Sequence, residues 1–208
     1  MKVLLLNGSS RPEGCTCTAL REAADVLEAG GAETEILFLG SGPVLDCTAC
    51  RTCQKKPGKC VFDDDIVNRI IEKAREADAF LFGTPVYYAH PSGRILSVLD
   101  RVFFAGKDAF AHKPGAAIVS ARRAGTTASV DVLNKYFTIA QMPVVSSSYW
   151  NVVHGNTPEE VRQDLEGLQT VRNLARNMLW LLRCIEAGEH AGIRPPQAES
   201  GARTSFVR

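Results

Sequence analysis

Short apolar runs rich in Val, Ile and Leu alternate along the chain with longer stretches whose apolar residues recur every three or four positions. The runs at residues 3–6, 35–39, 79–82, 116–120 and 144–147 predict five short strands. Helical spacing predicts helices at residues 16–29 (Leu20, Ala23, Ala24, Leu27), from residue 63 onward (Ile66, Ile70, Ile71, Ala74), at 92–104 and at 126–140. Asp63-Asp64-Asp65 opens the second of these, where the positive end of the macrodipole favours carboxylates. Thr157-Pro158-Glu159-Glu160 is a helix start with Thr at the N-cap and Pro at N1. From there one long helix is expected to about residue 186, with Val161, Leu165, Leu168, Ala175, Met178, Leu182 and Ile185 on one stripe. Strands alternating with helices predict an α/β fold, a doubly wound parallel sheet with helices on both faces. Such sheets bind ligands in the loops beyond the carboxyl ends of their strands. Residues 1–192 read as one domain, interrupted by a cysteine-rich insertion at 40–62 and followed by an aperiodic tail at 193–208.

Composition narrows the function classes. The 208 residues carry 24 Lys+Arg against 23 Asp+Glu, a net charge of +1, which gives no electrostatic basis for binding nucleic acid or an acidic membrane. The opening segment has no signal-peptide pattern, and no stretch approaches the ~18 apolar residues of a membrane span. A cytoplasmic location is expected. Seven cysteines form no paired disulfide framework, which points toward metal binding or redox chemistry.

The loop after the first strand, Asn7-Gly8-Ser9-Ser10-Arg11-Pro12-Glu13-Gly14-Cys15-Thr16, has the groups of a phosphate cradle. Hydroxyls of Ser9, Ser10 and Thr16, the Arg11 guanidinium and a helix N-terminus converge there. It lacks the Gly-Lys-Ser/Thr ending of the Walker pattern and is not Gly-x-Gly-x-x-Gly. Taken alone it reads equally as a polar strand-to-helix turn. Two further loops decide between these. Residues 83–93 after the third strand bring Tyr87, Tyr88 and exposed backbone to the position flanking a planar ligand. Residues 120–126 after the fourth bring small side chains and the cations Arg122 and Arg123. A phosphate cradle between an aromatic wall and a small-residue wall describes a flavin mononucleotide (FMN) site.

Gly8-Ser9-Ser10-Arg11 with Gly14 and Thr16, Gly83-Thr84-Pro85-Val86-Tyr87, and Leu99-Asp100-Arg101 together resemble the NADPH-dependent FMN reductases of the flavodoxin-like superfamily, from residue 1 to about 186. The resemblance implies a flavodoxin-like sheet of order 2-1-3-4-5, bound FMN, and homodimers or homotetramers. It implies that Ser9, Arg11, Cys15, Thr16 and Cys17 surround the phosphate, although the family usually has Asn where Cys15 stands. Pro85, Val86, Tyr87 and Tyr88 are then expected along one side of the flavin rings, with Ser120, Ala121 and Arg122 on the other.

Cys47, Cys50, Cys53 and Cys60 lie within fourteen residues. The run fits paired zinc knuckles poorly and fits the wrapping of one iron–sulfur cubane. Its spacing resembles that of the iron–sulfur flavoproteins of the same superfamily. Arg51, Lys55, Lys56 and Lys59 are the nearby cations that would stabilise a negatively charged [4Fe–4S] centre. Reduced thiols, a disulfide and zinc remain the alternatives. Cys184 reads as packing, His90 as a surface or capping residue, and Asp100-Arg101 as a structural ion pair or helix contact. Tyr149-Trp150 reads equally as a flavin cover or as core aromatics. The expected function is an FMN-dependent oxidoreductase taking hydride from NAD(P)H and passing electrons to a flavin, quinone or protein acceptor. No side chain is singled out as a catalytic acid or base, because the cofactor carries the chemistry. A non-enzymatic electron carrier or redox sensor is the rival from another class, and a structural zinc module a third reading.

Overall fold

The structure, a computed structural model, describes residues 1–202, Thr204 and Phe206. Its parallel sheet is built from β1 (Lys2–Asn7), β2 (Glu33–Phe38), β3 (Ala79–Tyr87), β5 (Gly115–Ala121) and β6 (Val152–His154) in the order β2-β1-β3-β5-β6. Counting those five alone, this is the expected order 2-1-3-4-5. A two-residue strand β4 (His90–Pro91) adds an antiparallel arm to β3, so the sheet has six strands.

Alternation along the strands separates two cores. Leu4 and Leu6 of β1 and Phe80 and Phe82 of β3 face one side, under α3 (Val67–Glu76), α4 (Gly93–Gly106) and α5 (Thr126–Ile139). Val3, Leu5, Ala79 and Leu81 face the other, under α1 (Cys15–Ala29) and a long C-terminal helix. The two-residue period of a strand that is buried on both faces produces this division.

Three expectations are corrected. The fifth strand lies at Val152–His154, not at 144–147. Val144 makes only an isolated bridge to Gly115, while Val152 pairs with Val119. Eight steps of edge chain thus oppose four steps of β5, and the surplus bulges outward with Tyr149 and Trp150. The Ser146-Ser147-Ser148 run leaves the sheet because side chains and backbone of the C-terminal helix satisfy it. Asn177 Nδ2 donates to the Ser146 carbonyl (2.8 Å), the Ser147 hydroxyl donates to the Thr170 carbonyl (2.6 Å), and Asn173 Nδ2 donates to Ser148 Oγ (3.0 Å). The long last helix is two helices, α6 (Pro158–Gln163) and α7 (Leu165–His190). Asp164 breaks it by leaving helical geometry and accepting the N–H groups of Gly167 and His154. Finally, α3 starts at Val67, and the acidic run lies ahead of it, with Asp65 accepting the Val67 N–H.

Residues 40–62 are irregular apart from one turn, α2 (Thr52–Lys55). The described part of the tail beyond residue 192 has no helix or strand; Arg203, Ser205, Val207 and Arg208 lie outside the described residues. None of the described helices is long and apolar enough to cross a membrane.

Candidate functional site

Asn7, the last residue of β1, is buried and shapes the turn that follows. Its Oδ1 accepts the Ser9 N–H (3.1 Å) and its Nδ2 donates to the Pro12 carbonyl (3.0 Å). Ser9 Oγ in turn accepts the Arg11 N–H (3.1 Å). Helix α1 then begins at Cys15 with Gly14 at the N-cap, and Gly14 has no side chain with which to cap it. The N–H groups of Cys15, Thr16 and Cys17 therefore point out of the helix without an intrahelical partner, at its positive end. These are residues expected to surround a phosphate, and the feature that brings them together is backbone. The Cys15 thiol donates toward the Gly155 carbonyl (3.6 Å), and Cys17 is buried on the first turn of α1. Burial pushes the Cys15 thiol up, with the Arg11 charge pulling the other way. Arg11 itself is exposed, within electrostatic reach of the same helix end.

Behind the turn, the Thr16 and Ser120 hydroxyls are both buried and lie 2.8 Å apart, joining the loops after β1 and β5. The Ser92 hydroxyl donates to the Gly8 carbonyl (2.8 Å), and its N–H donates to Thr84 Oγ1 (3.0 Å). A Cβ at Gly8 would sit 2.9 Å from the Gly83 carbonyl oxygen, so the close approach of these two loops requires glycine. Tyr87 reaches over to Ser10, with the two hydroxyls 3.3 Å apart.

The aromatic wall is a tight hairpin. Tyr87 pairs with His90, and the two residues between them, Tyr88 (φ 52°) and Ala89 (φ 59°), are both left-handed. That is the backbone of a two-residue type I′ turn, normally made by Asn-Gly or Asp-Gly. Non-glycine residues pay about 1 kcal/mol or more each for this conformation. Gly125 (φ 89°) presses against the turn; a Cβ there would meet Ala89 Cα at 2.4 Å. Pro85 and Val86 are half-buried and Tyr87 and Tyr88 exposed on one side. Ser120 and Ala121 are buried and Arg122 is exposed on the other. His90 is exposed, and its ring Nδ1 lies 3.0 Å from the Pro91 carbonyl. Tyr149 and Trp150 are exposed and meet edge to face, which removes the core alternative for them.

The second constellation is the cysteine segment. All seven thiols are free, and Cys47, Cys50, Cys53 and Cys60 line one cavity together with Phe62, Arg101 and Phe104. Burial raises the Cys53 thiol, and the neighbouring Cys47, Cys50 and Cys60 charges raise it further. Hydrogen bonds from the Thr52 hydroxyl and N–H lower the exposed Cys50 thiol. Between these cysteines Ala49 (φ 52°) and Arg51 (φ 59°) adopt left-handed backbone. Such alternation turns successive N–H groups toward one point and makes the concave nests that hold anions and iron–sulfur clusters. The space between the thiols is about 20 Å³, room for about one water molecule. Among the described residues no three Cys, His, Asp or Glu side chains are drawn close enough to chelate one ion. A multi-iron centre would need more room than these thiols enclose.

Cys60 is the fixed member. Its N–H donates to Asn68 Oδ1 (2.7 Å) and its carbonyl accepts from Asn68 Nδ2 (3.0 Å), while Arg101 donates toward its sulfur (3.6 Å). Of the two readings for Asp100-Arg101, an ion pair with each other is not made. Arg101 pairs with Asp65, and Asp100 accepts the Tyr136 hydroxyl (2.5 Å). Asn7, Thr84, Ser92, Asn68 and Arg101 thus join the site residues named from the sequence. Asn7 carried a usable signal, an Asn-Gly-Ser turn at a strand end; Ser92 and Arg101 reach partners far away in sequence, and Asn68 and Thr84 reach partners within eight residues.

The chain is similar to known proteins. A profile of the NADPH-dependent FMN reductase family matches residues 1–157. An iron-sulfur flavoprotein from Methanocaldococcus jannaschii is 31% identical over 198 residues, covering 89% of this chain and all of that protein. Among solved structures, RosB with bound 8-demethyl-8-formylriboflavin-5′-phosphate superimposes with a TM-score of 0.69 at 16% identity, over all of this chain and 92% of RosB. An archaeal flavodoxin superimposes with a TM-score of 0.58 at 12% identity, over 88% of this chain and 99% of the flavodoxin. The structural likenesses show a flavodoxin-like fold, and on the family match and the curated relative the chain belongs to the NADPH-dependent FMN reductase family, alongside the iron-sulfur flavoproteins, and is a flavin-dependent oxidoreductase.

Proposed function

We propose that the loops after β1, β3 and β5 bind FMN, that NAD(P)H supplies hydride to it, and that the electrons pass to a flavin, quinone or protein acceptor. The observation that carries this reading is the uncapped N-terminus of α1, set in one crescent with the Tyr87–Tyr88 hairpin and the Ser120–Ala121 edge. Bound there, FMN would supply a ring system that takes two electrons as hydride and gives them up singly or in pairs. The chain's residues then have simple duties. The N–H groups of Cys15, Thr16 and Cys17, with Ser9 and Arg11, hold the phosphate by charge-assisted hydrogen bonds. Pro85, Val86, Tyr87 and Tyr88 bound one side of the rings, and Ser120, Ala121 and Arg122 the other. Exposed aromatic groups on the hairpin leave an open face on which a nicotinamide can stack.

The four clustered cysteines fit a [4Fe–4S] centre by donor type, by number and by the left-handed backbone between them. That the curated relative is named an iron-sulfur flavoprotein supports the same assignment. Cys47, Cys50, Cys53 and Cys60 would be its ligands, and the centre would supply one-electron chemistry. Steady-state oxidation of NADPH and NADH by the FMN-loaded protein, measured anaerobically with a quinone or free flavin as acceptor, tests the activity. Turnover that saturates with the nucleotide is expected. Flavin binding without any turnover would instead make the chain an electron carrier.

A further inference from the structure

We infer that Arg101 is a positioning residue for the sulfur centre: its buried guanidinium fixes the Cys60 ligand and raises the potential at which the centre accepts an electron. This rests on the assignment of Cys47, Cys50, Cys53 and Cys60 as cluster ligands.

Arg101 is the one buried charged residue among the described residues, with its side chain 1% exposed. It comes from the middle of α4, yet four of its hydrogen bonds go to the cysteine segment and its flank. Nη1 donates to the Leu45 carbonyl (3.1 Å) and to the Asp65 carboxylate; Nη2 donates to the Phe62 carbonyl (3.2 Å) and toward Cys60 Sγ (3.6 Å). One planar fork therefore ties the chain before Cys47 to the chain around Cys60. The Phe62 ring lies 5.7 Å from the guanidinium carbon. A lysine, a point charge, could not make these four bonds at once.

A mere clamp would not need a charge here. Burying a cation is costly even when it is paired, and replacing both partners of a buried ion pair with well-packed apolar side chains is often neutral or stabilising. Asp65 is the single carboxylate on this guanidinium, and Nε is buried with no acceptor. Unsatisfied buried donors are few in native proteins and call for an explanation. A charge kept at this cost, with a thiol sulfur as one of its acceptors, acts on that sulfur. Addition of an electron makes a tetrathiolate centre more negative, and a fixed positive charge in a poorly screened interior favours the more negative state. The lysines and arginine of the segment itself are exposed and screened by solvent. The charge that matters is the one supplied by α4.

The experiment compares wild type with R101K, R101Q and D65N, each reconstituted anaerobically with FMN, iron and sulfide. Iron and acid-labile sulfide are assayed, and the midpoint potential of the iron centre is read by an EPR-monitored titration. Loss of the charge in R101Q is expected to lower the midpoint. Loss of the counter-charge in D65N leaves the guanidinium less neutralised and is expected to raise it. R101K, which keeps the charge and loses the fork, is expected to load less iron with a midpoint near that of wild type. Where R101Q fails to fold or load, the opposite placing of D65N relative to R101K still reads the effect. Midpoints unchanged in all loaded variants, or all shifted in one direction, would overturn the inference. Wild type that takes up no iron would overturn the cluster assignment itself, a separate and visible failure.

Discussion

Arg11 is exposed at the mouth of the α1 turn, where its charge can be given to a ligand. R11A is expected to weaken FMN binding by about 10-fold or more, since a hydrogen bond to a charged group is worth roughly 1.5–3 kcal/mol. A fluorescence-quenching titration measures it. Gly125 is constrained twice, by a positive φ and by the Ala89 backbone against its open side. G125A is expected to cost about 2 kcal/mol or more. Its effect should appear as a lower midpoint of denaturant unfolding and, because the displaced element is the Tyr87–Tyr88 hairpin, as weaker FMN binding. Unchanged values for both would mean that the two loops do not brace each other. In the sequence Ser9, Arg11 and Thr16 read equally as a polar turn; the structure shows the Ser9 and Thr16 hydroxyls bonded within and behind that turn and leaves Arg11 exposed. Tyr88 and Ala89 hid the hairpin, since neither residue belongs to the Asn/Gly chemistry of a type I′ turn. Arg101 hid its ionic partner, since Asp65 lies 36 residues away in sequence.

At the scale of elements, side-chain caps set the boundaries that periodicity missed. The apolar stripe of residues 161–185 runs on through Asp164 and gives no hint of a break. The break comes from one carboxylate that accepts N–H groups from two elements, α7 and β6. D164A is expected to destabilise the fold by about 1–2 kcal/mol, as loss of a helix cap does, and chemical denaturation measures this. The shift of the fifth strand to Val152–His154 has the same kind of cause: a β-branched pair at 144–145 is followed by serines that α7 satisfies better than the sheet can. Between α4 and α5, burial raises the Tyr136 phenol well above its ordinary range, and its hydrogen bond to Asp100 raises it further. Tyr136 thus holds its proton more tightly in the folded state than in the unfolded one. This contribution is complete below the unfolded value of about 10 and is lost as pH climbs above it. The decline of thermal stability in alkaline solution should accordingly be shallower in Y136F than in wild type; identical slopes would remove Tyr136 from the explanation.

The whole molecule carries two proposed sites whose ligand-facing residues come from different elements, with α4 touching both through Ser92 and Arg101. The FMN crescent belongs to β1, β3, β5 and α1, whereas the thiols hang between α3 and α4. Replacing Cys47, Cys50 and Cys53 with serine is expected to abolish iron uptake and to leave FMN affinity within about 2-fold of wild type, that is within ~0.4 kcal/mol. Coupled loss of both would show that α4 transmits a change at one site to the other. The doubly wound sheet was legible from alternation alone, because both of its faces are buried and each strand reads as an apolar run. The most direct test of the function is equilibrium binding of FMN and of riboflavin, which share the rings and differ in the phosphate. A cradle made of three free N–H groups, Ser9 and Arg11 requires FMN to bind at least about 100-fold tighter than riboflavin, roughly 2.7 kcal/mol. Equal affinities, or no binding of either, would contradict the placement of a flavin phosphate at the N-terminus of α1.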